Sequence, residues 1–212
     1  MIKFEDMLDD VLPDVPGCSN ELAINALRNA AIELYTKSWI YTQPCDPQQT
    51  IKNQADYDLD TFTNYRNIGI VSVNFDDAQL TPTGVTNLNR SNLRWQDDVG
   101  TPTNYISADY VSIRLYRIPD VIGALNAVVA LAPSKTANGI EDFIYHLYSE
   151  QLAAGAKARL MLMPNKPFSD PVVSREYRAQ FAAAITDAKW RAHKSLTAAQ
   201  LKAVPQFIIR RP

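Results

Sequence analysis

The spacing of apolar residues changes twice along this chain, and no other feature restricts its possible folds as strongly. Up to about residue 43, and again beyond Pro133, apolar side chains recur every three or four positions, the period of an amphipathic helix. Between Pro44 and Pro133 they alternate in short runs punctuated by Pro, Asn, Asp and Gly, the period of strands joined by turns. The chain is therefore expected to be α+β. The expected form is a mainly helical body made of residues 1–43 and 134–203, a β-rich insertion at 44–133 and an extended C-terminal arm at 204–212. Within the body, an N-terminal helical pair and a C-terminal antiparallel helical hairpin are expected. A length of 212 residues at 46% hydrophobic content fits one domain with an elaborated insertion.

The elements follow from local signals. Phe4, Met7, Leu8, Val11 and Leu12 predict a short opening helix that Pro13, Pro16 and Gly17 stop. Ser19 and Asn20 offer N-cap oxygens to a second helix, whose stripe is Leu22, Ala23, Ala26, Leu27, Ala30, Ala31 and Leu34, ending near Lys37. In the middle, Gln49–Lys52 and Tyr57–Thr61 predict one hairpin. Val71, Val73 and Phe75 share a strand face, as do Val111, Ile113 and Leu115, and Leu125, Ala127, Val129 and Leu131 form a buried strand closed by Pro133. Asp76–Thr103, rich in Asn, Asp, Thr and Pro, reads as a long exposed loop or a hairpin of weak strands. Ile140, Phe143, Ile144, Leu147 and Leu160 lie on a helix running to about Met163. Asp170 then caps a last helix, with Pro171 at its first position and Val173, Tyr177, Phe181, Ala184, Ile185, Ala188 and Ala192 on one face. The small residues Ala153, Ala154, Gly155, Ala156 and Ala158 on one helix and Ala182, Ala183 and Ala184 on the other would let the two axes approach closely.

Several classes of function find no support in the residues. A formal net charge of -2 gives no standing attraction to phosphates, which argues against a dedicated nucleic-acid binder. Cys18 and Cys45 are the only cysteines, too few for a disulfide scaffold and without metal or redox spacing, so both are expected to be reduced and mostly buried. Four acidic residues stand among the first ten, unlike a secretion signal, so the chain is expected to stay in the cytoplasm where it is made. The longest apolar stretch, Val121–Ala132, is broken by Gly123 and Asn126 and falls short of the roughly 20 residues a membrane span needs. His146 and His193 sit on predicted helices with no nucleophile motif beside them, and read as structural. The pairs Asp9-Asp10, Asp76-Asp77 and Asp97-Asp98 lack calcium-loop spacing and read as solvated charge. Seven glycines form neither a phosphate loop nor a dinucleotide fingerprint. Arg114 and Arg117 flank Tyr116 on a strand that reads as a solvated or subunit-contacting face rather than a base-stacking platform. No catalytic residue, cofactor or metal is expected, and the chain is expected not to be an enzyme.

Five segments together resemble the head-to-tail adaptor (connector) proteins of tailed phages, above all the short-tailed ones. Phe4-x-Asp6-Met7-Leu8, followed by Val11-Leu12-Pro13-Asp14-Val15-Pro16-Gly17-Cys18, is similar to the family's opening helix and Pro-Gly-Cys turn. Ala26-Leu27-Arg28-Asn29-Ala30-Ala31-Ile32-Glu33-Leu34-Tyr35, with Trp39 after it, resembles the second helix. Ile113-Arg114-Leu115-Tyr116-Arg117-Ile118-Pro119 and Val129-Ala130-Leu131-Ala132-Pro133-Ser134 match two strands. Ala154-Gly155-Ala156-Lys157-Ala158-Arg159-Leu160, then Met163-Pro164-Asn165-Lys166-Pro167-Phe168, matches the segment of the last hairpin. Order and spacing carry the likeness from the first residues to about Phe181. Phe168 stands where Trp is expected, and Leu34-Tyr35 where Phe-Cys is common; both keep apolar bulk, and the second leaves only a thiol role in doubt.

The resemblance implies a virion structural protein at the head-tail junction, assembled in the host cytoplasm. It would form a homo-oligomeric ring, typically of twelve copies, that binds the portal on one side and tail nozzle or tail fibre proteins on the other. DNA would pass through its lumen during ejection, without specific binding and without a membrane partner. A tail-completion protein at another position is the alternative within that class, and an enzyme with a scattered site the alternative outside it. Two features would carry the contacts. Trp190 lies nine residues beyond Phe181, on the opposite helix face. It is expected either to anchor a subunit contact or to shield a neighbouring loop. Phe207, Ile208 and Ile209, between Pro205 and Pro212, have no helix to sit on and are followed by Arg210-Arg211. They are expected either to fold back on their own domain or to reach the portal or a neighbour as an added strand.

Overall fold

The computed structural model describes residues 1–194 and 196–197. Strand β1 (Ile2–Lys3) leads into two 3-10 segments, Phe4–Asp10 and Leu12–Asp14, and then helix α1 (Asn20–Ser38). The middle of the chain holds β2 (Thr42–Pro44), β3 (Gln48–Gln49), β4 (Asp56–Asp58), β5 (Tyr65–Phe75), β6 (Ala78–Gln79), β7 (Thr81–Pro82) and α2 (Val85–Ser91). A 3-10 turn, Trp95–Asp97, and strands β8 (Asn104–Ile106), β9 (Ser112–Tyr116) and β10 (Ala124–Pro133) complete it. β11 (Gly139–Ile140), α3 (Asp142–Met161) and α4 (Pro171–His193) follow.

Among the described residues the strands make three sheets. β2, β10, β5 and β6 hydrogen-bond in that order, with β3 also on β10; β4, β9, β8 and β7 make a second sheet; β1 and β11 make a third. Two apolar cores result. Tyr57, Tyr105, Ile113 and Leu115 from the four-stranded sheet meet Val73, Phe75, Leu125 and Leu131 from the five-stranded one. The other core joins α1, α3, α4 and the opening 3-10 segments around Met7, Leu27, Leu34, Ile144, Leu152 and Phe181.

The expectation of a mainly helical body with a β-rich insertion is overturned. Among the described residues eleven strands share the architecture with the helices, and β10 belongs to both parts: Val129 and Leu131 face the sandwich, while Ala132 lies in the helical core. Its alternation suggests one buried face, but α1 covers the other, which is why Ala130 and Ala132 are also fully buried. Alanine at these points allows a helix to lie close on the strand. β1 and β11 also bring a sheet into the part read as helical: a methyl added to Gly139 would lie 2.1 Å from the Ile2 carbonyl oxygen, so only glycine lets β1 dock.

Several local expectations are corrected. The opening segment is 3-10, not α: Phe4 and Met7 at i, i+3 eclipse in a three-residue turn, and Pro13 sits in the first turn of the next one. Gln49–Lys52 and Tyr57–Thr61 make no hairpin, because β3 pairs with β10 and β4 with β9, and the Tyr57 hydroxyl donates to the Gln54 carbonyl instead, at 3.0 Å. Val71 does not share a face with Val73 and Phe75. Val73 and Ser72 pair with Ala127 and Val128, but Ile70 pairs with Val129, so Val71 is the extra residue of a bulge and turns outward, 45% exposed. Within Asp76–Thr103 the structure forms β6, β7 and α2, with Leu88 and Trp95 buried. α3 leaves helical geometry at Tyr148, and Leu147, expected on the apolar face, is thereby exposed. Ala182 and Ala183 face solvent; the close approach of α3 and α4 is made by Gly155, whose added methyl would lie 2.8 Å from the Phe181 ring. The arm at 204–212, with Phe207, Ile208, Ile209, Arg210 and Arg211, lies outside the described residues.

Candidate interaction surface

The start of α4 is fixed by chemistry local to it. The Asp170 carboxylate accepts hydrogen bonds from the Val172 and Val173 amides at 3.0 and 3.1 Å, and Pro171 takes the first turn. From that start the helical period turns Phe181, Ala184 and Ala188 inward and Trp190 outward, where it is 57% exposed. Trp190 lines a depression of about 760 Å³ between the ends of α4 and α1, with Ile185, Thr186, Lys189, His193 and Lys37. Smaller hollows flank the same end of α4 and expose Leu147, Leu196, Trp39 and Val71. Trp39 was visible in the sequence only through the resemblance. It ends α1 in the left-handed region, φ 54°, and its ring lies against Gly69, where an added methyl would come within 2.4 Å of it.

Charge around this surface is uneven. Glu33 of α1 accepts from Lys37 at 2.6 Å, from Arg159 of α3 at 2.5 Å and from Arg178 of α4 at 3.0 Å. Burial alone would push this carboxyl up, but the hydrogen bonds from Lys37 and Arg159 and the charges of Arg159 and Arg178 together hold it at about 2. Lys37 is thereby occupied. Arg191 is paired with Asp187 at 2.7 Å, while Lys189 has no carboxylate partner among the described residues.

A second polar cluster sits where helices meet sheet. Tyr41 and Tyr65 donate to the same Glu141 oxygen at 3.2 and 3.0 Å, and Gln43 donates to the Tyr41 hydroxyl at 2.9 Å. Tyr35 is fully buried beside them, and its hydroxyl makes no hydrogen bond of normal geometry. Burial pushes the phenols of Tyr35 and Tyr65 far above their ordinary range. These groups stay protonated and tie α1, β2, β5 and the start of α3 together.

The other residues singled out in the sequence take ordinary places. His146 and His193 are exposed on α3 and α4. Cys45 is buried and Cys18 half-buried, both free thiols, and burial raises the pKa of each. Asp76 accepts from the Ala124 amide at 2.7 Å, and Asp98 from Asn92 at 2.9 Å and the Tyr116 hydroxyl at 3.2 Å, so these acids brace loops rather than simply facing water. Arg114 pairs with Asp56 at 2.9 Å and lies over the Trp95 ring. Arg117 reaches toward Gly100, whose added methyl would lie 3.3 Å from its side chain. Among the described residues no group of three His, Cys, Asp or Glu side chains is placed to hold a metal ion, and no helix is long and apolar enough to cross a membrane. No protein-family model matches the chain, and no curated protein matches it.

Proposed function

We propose that this chain is a phage head-to-tail adaptor: a non-enzymatic virion protein that forms a ring between portal and tail and lets DNA pass through its lumen. One observation supports this reading above the others: four of the five segments that carry the resemblance, far apart in sequence, contribute to one core built around the helices, while Ile113–Pro119 lies in the four-stranded sheet. The Pro16-Gly17-Cys18 turn, with Gly17 at φ +82°, meets Pro167 of the Met163–Phe168 segment, 3.5 Å from where a Gly17 side chain would start. Glu33 of the second motif pairs with Arg159 of the Ala154–Leu160 motif. Arg28 of the second motif donates to the Ala137 carbonyl at 2.8 Å, three residues after the strand motif ends at Ser134.

In this reading Trp190 and the depression beside it contact a neighbouring subunit, and Phe207 to Arg211 reach the portal, where main-chain pairing and apolar burial give affinity. Arg210 and Arg211 pair there with acidic groups. The test is deletion of residues 204–212 followed by mixing with the portal protein of the same genome. The truncated chain is expected to fold as the full chain does and to lose attachment; equal attachment would remove the arm as the connector.

A further inference from the structure

Resting on the ring reading, we infer that the α4 depression receives the acidic 3-10 segment Phe4–Asp10 of a second copy of this chain, so that neighbours in the ring join head to tail. The depression is lined by the apolar side chains of Ile185 and Trp190 and by the cation Lys189. Lys37 is already paired with Glu33, so among the described residues near the depression the positive charge without a carboxylate partner is that of Lys189 and, just beyond the helix, Lys194. Such a site favours an acidic occupant. The chain's own C-terminal segment fits poorly, since residues 198–212 carry Lys202, Arg210 and Arg211 and no acid.

The Phe4–Asp10 segment has the complementary character. Phe4, Met7 and Leu8 are spent on the core, which leaves Glu5, Asp9 and Asp10 exposed beside Met1, itself 49% exposed. The two surfaces lie on opposite sides of α1. Arg28 stacks over Phe4 at 5.8 Å, while Lys37, nine residues on and therefore about 180° around the helix, borders the depression. An acidic patch on one side and a basic, apolar one on the other cannot meet within one molecule. They can meet between two, and a contact between unlike patches repeats until the rotation closes into a ring. Close opposite charges fix register and speed encounter, and like charges in the same place oppose association.

Charge exchange tests this. Lys189→Glu with Lys194→Glu, and separately Asp9→Lys with Asp10→Lys, are made in the full chain, checked for folding by circular dichroism, and followed by mass photometry alone and with portal at low and moderate salt. The wild type is expected to associate more readily at low salt, each variant to associate about tenfold less well, and the two variants mixed together to recover. A wild type that forms rings while both variants form them equally well overturns this contact and leaves the ring reading standing. A wild type that stays a single chain, with and without portal, overturns both.

Discussion

Tyr35 carries a hydroxyl sealed in the helical core without a hydrogen bond of normal geometry, in the midst of Tyr41, Tyr65 and Glu141. A buried polar group left unpaired costs about 1–3 kcal/mol, so removing it should cost nothing. Tyr35→Phe is expected to leave stability unchanged or raise it by up to about 1 kcal/mol in urea unfolding; a loss larger than that would mean the hydroxyl has a partner. Gly155 behaves in the opposite way. An added methyl would enter the fully buried Phe181 ring, and overpacking of about 1–3 kcal/mol outweighs the roughly 1 kcal/mol of helix propensity gained. Gly155→Ala should therefore unfold at lower denaturant, whereas Gly84→Ser, in open space at the N-cap of α2, should be neutral or stabilising. Such details are only partly legible in sequence. Gly155 stood out among small residues, but that Phe181 fills its notch, and that Val71 is turned out by a bulge, depend on strands and helices far away in the chain.

At the scale of elements, Glu33 joins three helices through Lys37, Arg159 and Arg178. Its pKa falls from 4.5 to about 2 on folding. A depressed folded pKa gives stability that is fully present above the unfolded value and disappears as pH falls through the folded one. Wild type should exceed Glu33→Gln by about 2–3 kcal/mol at pH 7, with the exposed ends of Lys37 and Arg178 reducing the full effect, and the gap should close between about pH 5 and pH 2. A gap unchanged by acid would remove the carboxylate as its source. α1 and α4 were legible because their apolar stripes, Asp170 and Pro171 are local signals. The 3-10 opening, α2 and the strand pairings were not. β3 finds its partner in β10 more than seventy residues later, and turn-rich composition over Asp76–Thr103 conceals a helix whose one buried apolar residue is Leu88.

At the scale of the molecule, the changes of periodicity marked where α1, α3 and α4 lie but not how helices and sheets share the architecture. The central sheet is shared, with β10 covered by α1 on one side and the sandwich core on the other, and only a tertiary contact could reveal this. Of the proposed contact surface, the exposure of Trp190 was legible from helical phase, and the hollow beside it only from the packing of α4 against the end of α1. A lumen that lets DNA slide must not hold phosphates, which agrees with a net charge of -2. Duplex binding at moderate salt should be weaker than about micromolar and indifferent to sequence, as non-specific electrostatic binding is; nanomolar affinity would contradict an open channel. The adaptor reading itself is tested most directly by the native mass of the chain in the presence of the portal protein of the same genome. The account predicts that it joins the portal as a ring with the mass of about twelve copies of a 23.7 kDa chain, the number the family resemblance implies; a small oligomer that never joins the portal would contradict it.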